Sequence, residues 1–583
     1  MRDHDGSSPH NRSSAAANPD REPRQHRLDK LSLALIFLLL SASTVAWTLK
    51  NQTPPSWDPS DHISAGYDYY RTLAHLDFHG FYRELVAEPR YYAPLVHIAT
   101  AAIFLVFGAS RLSGIGANLI SLALLLASVS WIFRRLYSRG ESSRLSSVLP
   151  ALLVACYHFP AWLLHDAFLD YPLMALVAAS FALLIRADDF RNRRYALAFG
   201  AVAGLGALTK QTFPFFFILP ALYVAARVIR SRDSRAILNL ALAAIVTAGI
   251  AAVWYAPHFN DVIAIYRTNQ IAALNENEAP MFSFRSNIFY FHTLIGTQTQ
   301  LPFGLLFIAG LISSLARRRR ESVMLYLWLL SGLLAFTLVA NKDVRYTVPV
   351  LPAAALLSVC WLPGGRASGR VRARRVLKPA VAALIALWAL AGFFNAQWPR
   401  DGSGYYIDTP EIRWMVLARN YYGTDHRPSN DDWGVPGIVR AVTQHAQLVN
   451  SVSQGGSARA PSPEETVSPT TRASSQAPTL GVVVNLPYLN PSSVALYARL
   501  MSSRRAGPPV ITVDWVVVDS ARDRLANCDY LLVRTGLDRA EWVAPMERYA
   551  EGLIRTNPSR FVRVASFPIP IDGAEAVLYK CGN

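Results

Sequence analysis

Long apolar runs separated by short arginine-rich blocks fill the chain from residue 31 to about residue 397 and then stop. Leu31–Leu49 carries no charge and is long enough to cross a hydrocarbon core. Comparable runs recur near 93–107, 112–133, 146–164, 171–187, 195–209, 212–229, 236–256, 301–316, 322–340, 346–363 and 379–397. The intervening basic blocks, such as Arg134-Arg135, Arg193-Arg194 and Arg317–Arg320, mark cytoplasmic loops. An even number of crossings must then separate each block from the next. That parity holds if the short run 93–107, preceded by Tyr91-Tyr92 and carrying His97, lies in the outer interface or is re-entrant. The pattern predicts an α-helical polytopic membrane protein with eleven crossings and outer interfacial helices. Its N-terminus is expected in the cytoplasm and its C-terminal domain outside.

Residues 1–29 are polar and rich in Ser, Asn and Arg, and are expected to be disordered. The membrane domain spans 30–397, with outer loops at 50–110 and 257–300. Residues 398–450 form a membrane-proximal outer segment with one amphipathic helix near Gly437–Leu448. Residues 451–479 read as a Ser/Pro/Thr-rich linker. From 480 to 583 the pattern changes to short strands and helices. Leu480–Asn485, Val510–Asp519, Tyr530–Arg534, Phe561–Phe567 and Ala576–Lys580 alternate as strands. Asn490-Pro491 reads as a cap opening a helix to about Ser502, and a second helix fits Arg539–Ile554. A small extracytoplasmic α/β domain is expected, without a Gly-rich phosphate loop or an obvious catalytic set. Its expected role is packing, acceptor binding or partner binding.

Composition narrows the function. The formal net charge is +17, but the basic residues sit between membrane runs, so nucleic acid is not an expected partner. Four cysteines show no CxxC-type metal spacing. Cys528 and Cys581 lie in the tail, where a disulfide or two free thiols fit equally.

The candidate chemistry gathers on the predicted outer face. Trp57-Asp58-Pro59-Ser60-Asp61-His62 follows the first run. A carboxylate there suits a general base for an acceptor hydroxyl, and spacing alone does not choose between Asp58 and Asp61. His62 is a neighbour able to orient it. Asp170 begins a run at an outer turn, where it either interacts with the helix dipole or orients the acceptor. A divalent ion held between Asp58 and Asp170 is an open alternative, although no metal or other cofactor is required. Only six of the 57 basic residues are lysines. Lys210 and Lys342 end apolar runs on the outer face, where cations are otherwise scarce. Snorkelling explains a basic residue; a phosphate partner also explains the side. Arg345-Tyr346 follows Lys342 and offers a fork for two phosphate oxygens. Arg90 and Tyr92 open the interfacial segment as further substrate contacts.

Several motifs occur in order: Trp57-Asp58; Tyr92-Ala93-Pro94-Leu95 before Phe107-Gly108; Leu169-Asp170-Tyr171-Pro172; Gly204–Lys210; and Asn341-Lys342-Asp343-Val344-Arg345-Tyr346 with Pro349 and Pro352. Over about residues 30–360 the chain resembles the GT-C membrane glycosyltransferases, and within them the protein O-mannosyltransferases and lipid A aminoarabinose transferases. The resemblance implies inverting transfer from a polyprenyl-phosphate sugar to a glycan, lipid or protein acceptor at the outer face of the cell membrane. It implies that Asp58 is the base and that Asp170 matches the acid of the second outer loop. Lys210, Lys342 and Arg345 match the basic residues near the lipid phosphate. Those families usually write Asp-Glu where this chain has Asp58-Pro59. A polytopic transporter or flippase is the alternative class, but charges clustered at one face and the lack of a visible repeat count against it.

Overall fold

The computed structural model describes residues 21–88, 92–137, 147–275, 278–362, 371–399, 405–408, 413–417, 427–455, 477–502, 506–516, 522–525, 527–536, 544–571 and 573–582. Of the segment 1–29 expected to be disordered, residues 1–20 lie outside these residues, as do most of the expected linker and Arg90, while 21–29 are helical.

Apolar composition makes most of the first 400 residues helical. The first helix, α1, is Arg21–Lys50. The expected loop after it is instead largely helical. Ser56 ends an extended stretch and α2 runs Trp57–Ala74, with Asp58 in its first turn, where an acid interacts well with the dipole. Twelve of its 18 residues are buried, so this polar helix is a packed part of the fold. The short run 93–107 becomes α3, Leu95–Phe107. At 1.5 Å per residue it is about 20 Å long, too short to span about 30 Å of hydrocarbon. It packs on α2, where the Gly66 Cα approaches the Thr100 side chain so closely that a Cβ would lie 2.7 Å away.

Among the described residues, four helical segments are long and apolar enough to cross a bilayer: Arg27–Lys50, Arg111–Tyr137, Ser234–Tyr255 and Leu377–Gln397. A bent pair, Phe284–Gln298 and Leu301–Ala316, meets at 119° and would make a fifth. Other expected spans are shorter or broken, so length and composition give fewer than eleven. The run at 146–164 splits at Tyr157, whose ψ of 144° separates Leu149–Cys156 from His158–Leu163. The run at 346–363 yields an α-helix only over Leu351–Ser358. The protein is a multi-pass membrane protein with many half-length helices around one core. In that core Phe181 stacks on Trp328 at 4.0 Å. Helix Arg193–Ala207 meets Ser234–Tyr255 through Gly200 and Gly204. A Cβ on Gly200 would stand 2.5 Å from the Ala243 carbonyl, so the small-xxx-small spacing permits this approach.

The segment 257–300, expected as an outer loop, is mostly helix: Phe259–Asn275, Phe284–His292 and a π-helical turn at Thr293–Gln298. Beyond helix Val371–Gln397, strands β1 (Tyr405–Asp408) and β2 (Arg413–Leu417) form an antiparallel pair that the sequence pattern did not reveal. Helix Val435–Gly455 covers and extends the expected amphipathic helix. The tail carries β3 (Thr479–Val482), β4 (Thr512–Trp515), β5 (Tyr530–Arg534), β6 (Phe561–Pro568) and β7 (Glu575–Cys581). They form one sheet in the order β4-β3-β5-β7-β6, parallel across β4-β3-β5 and antiparallel across β5-β7-β6. Helix α4 here denotes Pro491–Leu500, capped by Asn490 with Pro491 at its start. The four cysteines are buried and free, including Cys528 and Cys581.

Candidate functional site

Two ion pairs from distant parts of the sequence form the site. Arg345 Nη1 donates to Asp58 Oδ2 at 2.8 Å. The same guanidinium donates from Nε and Nη2 to Asp343 Oδ2, at 2.9 and 2.6 Å. Asp343 also accepts the Arg345 backbone N–H at 2.8 Å, so the short Lys342–Tyr346 turn folds the arginine onto its own acid. The guanidinium lies 4.7 Å from the centre of the Phe168 ring, which limits its freedom to one side. Lys210 Nζ donates to Asp170 Oδ1 at 2.7 Å, and both side chains are almost wholly buried. Lys210 also stands 5.6 Å from the Tyr346 ring centre. Asp58, Asp170, Lys210, Arg345 and Tyr346 are thus brought together.

The electrostatics tie the pairs into one cluster. Burial opposes ionisation of Asp343, but Arg345, with help from Lys210, holds its carboxyl below the usual range. Asp61 is pushed up to about 7, first by burial and then by Asp58, while Ser492 and Arg499 pull the other way. Asp166 is likewise raised to about 7 by burial, although Arg111 and Arg345 act against this. His62 is lowered to about 3, first by burial and then by Lys210 and Arg345. Its Nδ1 lies 3.2 Å from Nε2 of His97, and its ring meets Tyr92 edge-on at 4.8 Å. His62 is therefore a neutral, packed group at neutral pH.

Arg345 still has donors to offer. Its planar fork carries five N–H groups and Lys210 carries three. Among the described residues three are spent on Asp58 and Asp343, and one on Asp170. The remaining donors suit the oxygens of a phosphate.

Lys342 departs from its expected place. Its ammonium donates to the carbonyls of Phe336, Thr337 and Val339 at 3.1, 2.8 and 2.6 Å. These carbonyls lie at and just past the C-terminal end of helix Val323–Thr337, where a cation is favourable. Lys342 therefore closes a helix end and does not face Asp58. The divalent-ion alternative also fits poorly. Asp58 and Asp170 each face a cation, and no group of three metal-type ligands occurs among the described residues.

Sequence reasoning passed over Asp343, Phe168 and His97. The Asp343-x-Arg345 spacing was a readable sign of a local pair; Phe168 had none. The tail, expected to serve packing, acceptor binding or partner binding, touches α2 directly: Trp57 Nε1 donates to Asn485 Oδ1 at 2.7 Å and Arg499 grips Asp68.

No family model matches the sequence, and no curated protein matches it. Solved structures do. The crystal structure of ArnT from Cupriavidus metallidurans bound to undecaprenyl phosphate is similar at a TM-score of 0.52 and 15% identity. The match covers 94% of this chain and 97% of that one. The apo ArnT structure is similar over the same shares at 0.53, again at 15% identity. At that identity the likeness concerns the fold, including the soluble tail. The chain therefore shares the fold of ArnT.

Proposed function

We propose that this protein is an inverting glycosyltransferase that moves a sugar from a polyprenyl-phosphate donor to an acceptor hydroxyl at the extracytoplasmic face of the membrane. The observation that carries this reading is the contact between Asp58 and Arg345, a proton acceptor beside a phosphate-type fork. Undecaprenyl phosphate in the similar ArnT structure supports a lipid of this class as donor carrier. In the reaction, the acceptor oxygen attacks the sugar C1 as the bond from C1 to the phosphate oxygen breaks. Asp58 takes the acceptor proton, and the bonding electrons leave with the phosphate. Arg345 and Lys210 stabilise that charge. Asp343 and Asp170 hold the two cations in place. Positive-inside arginine blocks support a cytoplasmic N-terminus and an outer tail.

The test is mass spectrometry of lipids and glycans from cells with and without the gene, and with Asp58→Asn. A polyprenyl-phosphate sugar that accumulates in both the deletion and the variant, with loss of one glycan modification, is the expected result. Full transfer by correctly inserted Asp58→Asn protein rules out Asp58 as the base. Loss of donor movement across the bilayer, with transfer intact, selects the flippase alternative.

A further inference from the structure

The tail lies along the whole length of α2. Asn485 meets Trp57 at the first residue of that helix. Arg499 forms a side-on fork to Asp68, Nε to Oδ1 at 2.9 Å and Nη2 to Oδ2 at 3.1 Å, with 21% and 11% of the two side chains exposed. Further on, the Ala506 carbonyl lies 3.1 Å from His75 Nε2, just past the end of α2. Numbers rise together on both sides, so α4 and α2 run in the same direction. Ser492 stands by Asp61, and both residues precede the Arg499–Asp68 pair by seven positions. Seven residues advance a helix by about 10.5 Å and return to nearly the same face. The Arg499–Asp68 fork and the hydrogen bond from Trp57 to Asn485 therefore tie α2 to the tail at two places along its length, and α2 does not slide without breaking both.

The geometry points to Arg499 and Asp68 as positioning residues: through α4 the tail fixes the axial position of α2, and so the distance from Asp58 to Arg345. This rests on the reading of Asp58 as the base. Asp58 is in the first turn of α2, with a third of its side chain exposed, and its partner Arg345 comes from a separate turn of the membrane domain. A shift of α2 along its axis would move the base and leave the Arg345–Asp343 fork where it is. The tail is thus a structural half of the site, not an appended module.

The test uses the full chain in detergent, with Asp68→Asn/Arg499→Met, which removes the pair without stranding a buried charge, and the swap Asp68→Arg/Arg499→Asp. Hydrogen exchange of residues 57–68 reads the brace directly. Release of undecaprenyl phosphate from the lipid-linked donor of native membranes reads turnover. Binding of undecaprenyl phosphate itself reads the phosphate clamp. In the double variant, faster exchange at 57–68 is expected, with clamp affinity unchanged and kcat about 100-fold lower, the scale of an ångström's misplacement. The swap should recover most of both losses. A folded double variant with unchanged exchange overturns the brace. Faster exchange with unchanged kcat, where Asp58→Asn is inactive, overturns its role in positioning the base. If Asp58→Asn is fully active, the catalytic reading has failed, and unaltered or faster exchange then decides the brace alone.

Discussion

Asp58 and Arg345 touch at 2.8 Å although 287 positions separate them in the chain. Helix α2 brings the acid and the Lys342–Tyr346 turn brings the fork. Removing either should have a distinct kinetic signature. Asp58→Asn should lower kcat by roughly 100-fold or more, the usual scale for a general base, with little change in donor KM. Arg345→Lys keeps the charge but loses the planar fork, and should raise donor KM by about tenfold as bidentate geometry is lost. Steady-state kinetics with a lipid-linked donor separates the two.

Lys210 and Asp170 are a buried pair, with side chains 9% and 2% exposed. Asp170→Asn leaves the ammonium without its carboxylate and should cost about 3–5 kcal/mol, as for other broken buried pairs. The double variant Asp170→Asn/Lys210→Met should recover most of that stability and still bind undecaprenyl phosphate weakly. Thermal unfolding in detergent, beside a lipid-binding titration, checks both halves.

Lys342→Met should leave phosphate binding unchanged. Its ammonium is spent on three carbonyls at a helix end. Losing charged hydrogen bonds of this kind should cost about 1.5–3 kcal/mol of stability. A fall in donor affinity without a fall in melting temperature would return Lys342 to the phosphate site.

Asp61 gives a pH signature. Burial raises its carboxyl from 3.8 to about 7 in the folded protein. The folded state then holds this proton more tightly than the unfolded chain. Its contribution is fully present below about pH 4 and is lost as pH rises through 7. His62 acts in the opposite sense: folding lowers it from 6.5 to about 3, so its stabilisation is present above 6.5 and is lost as pH falls. Asp61→Asn should therefore raise the melting temperature at pH 8 relative to pH 5, compared with the parent protein. Equal pH profiles of the two proteins would show that Asp61 ionises without penalty.

Much of the architecture was legible because burial follows composition. The run at 93–107 is too short to span, and it forms the packed helix Leu95–Phe107. The tail segments read as strands fall at Tyr530–Arg534 and Phe561–Pro568 in the fold. Half-length helices were harder to anticipate. The break at Tyr157 arises inside an apolar run with no local signal except Pro160 downstream. Lys342 was hard to read for a related reason: an ammonium at the end of an apolar run suits a helix C-terminus as well as a phosphate, and spacing does not separate these.

Residue type along the chain is enough to tell which residues are apolar enough to leave water and that rare lysines and acids stand at the ends of apolar runs, but not that the segments expected as loops after α1 and at 257–300 are mostly helix. Hydrophobic transfer and local backbone preferences act over a few residues, so they can be read along the chain. Only the tertiary structure decided that Arg345 faces Asp58, that Lys210 faces Asp170, and that Arg499 holds Asp68. Those pairings depend on where whole helices pack, and a Coulomb contact exists only once packing has brought the two charges within a few ångströms.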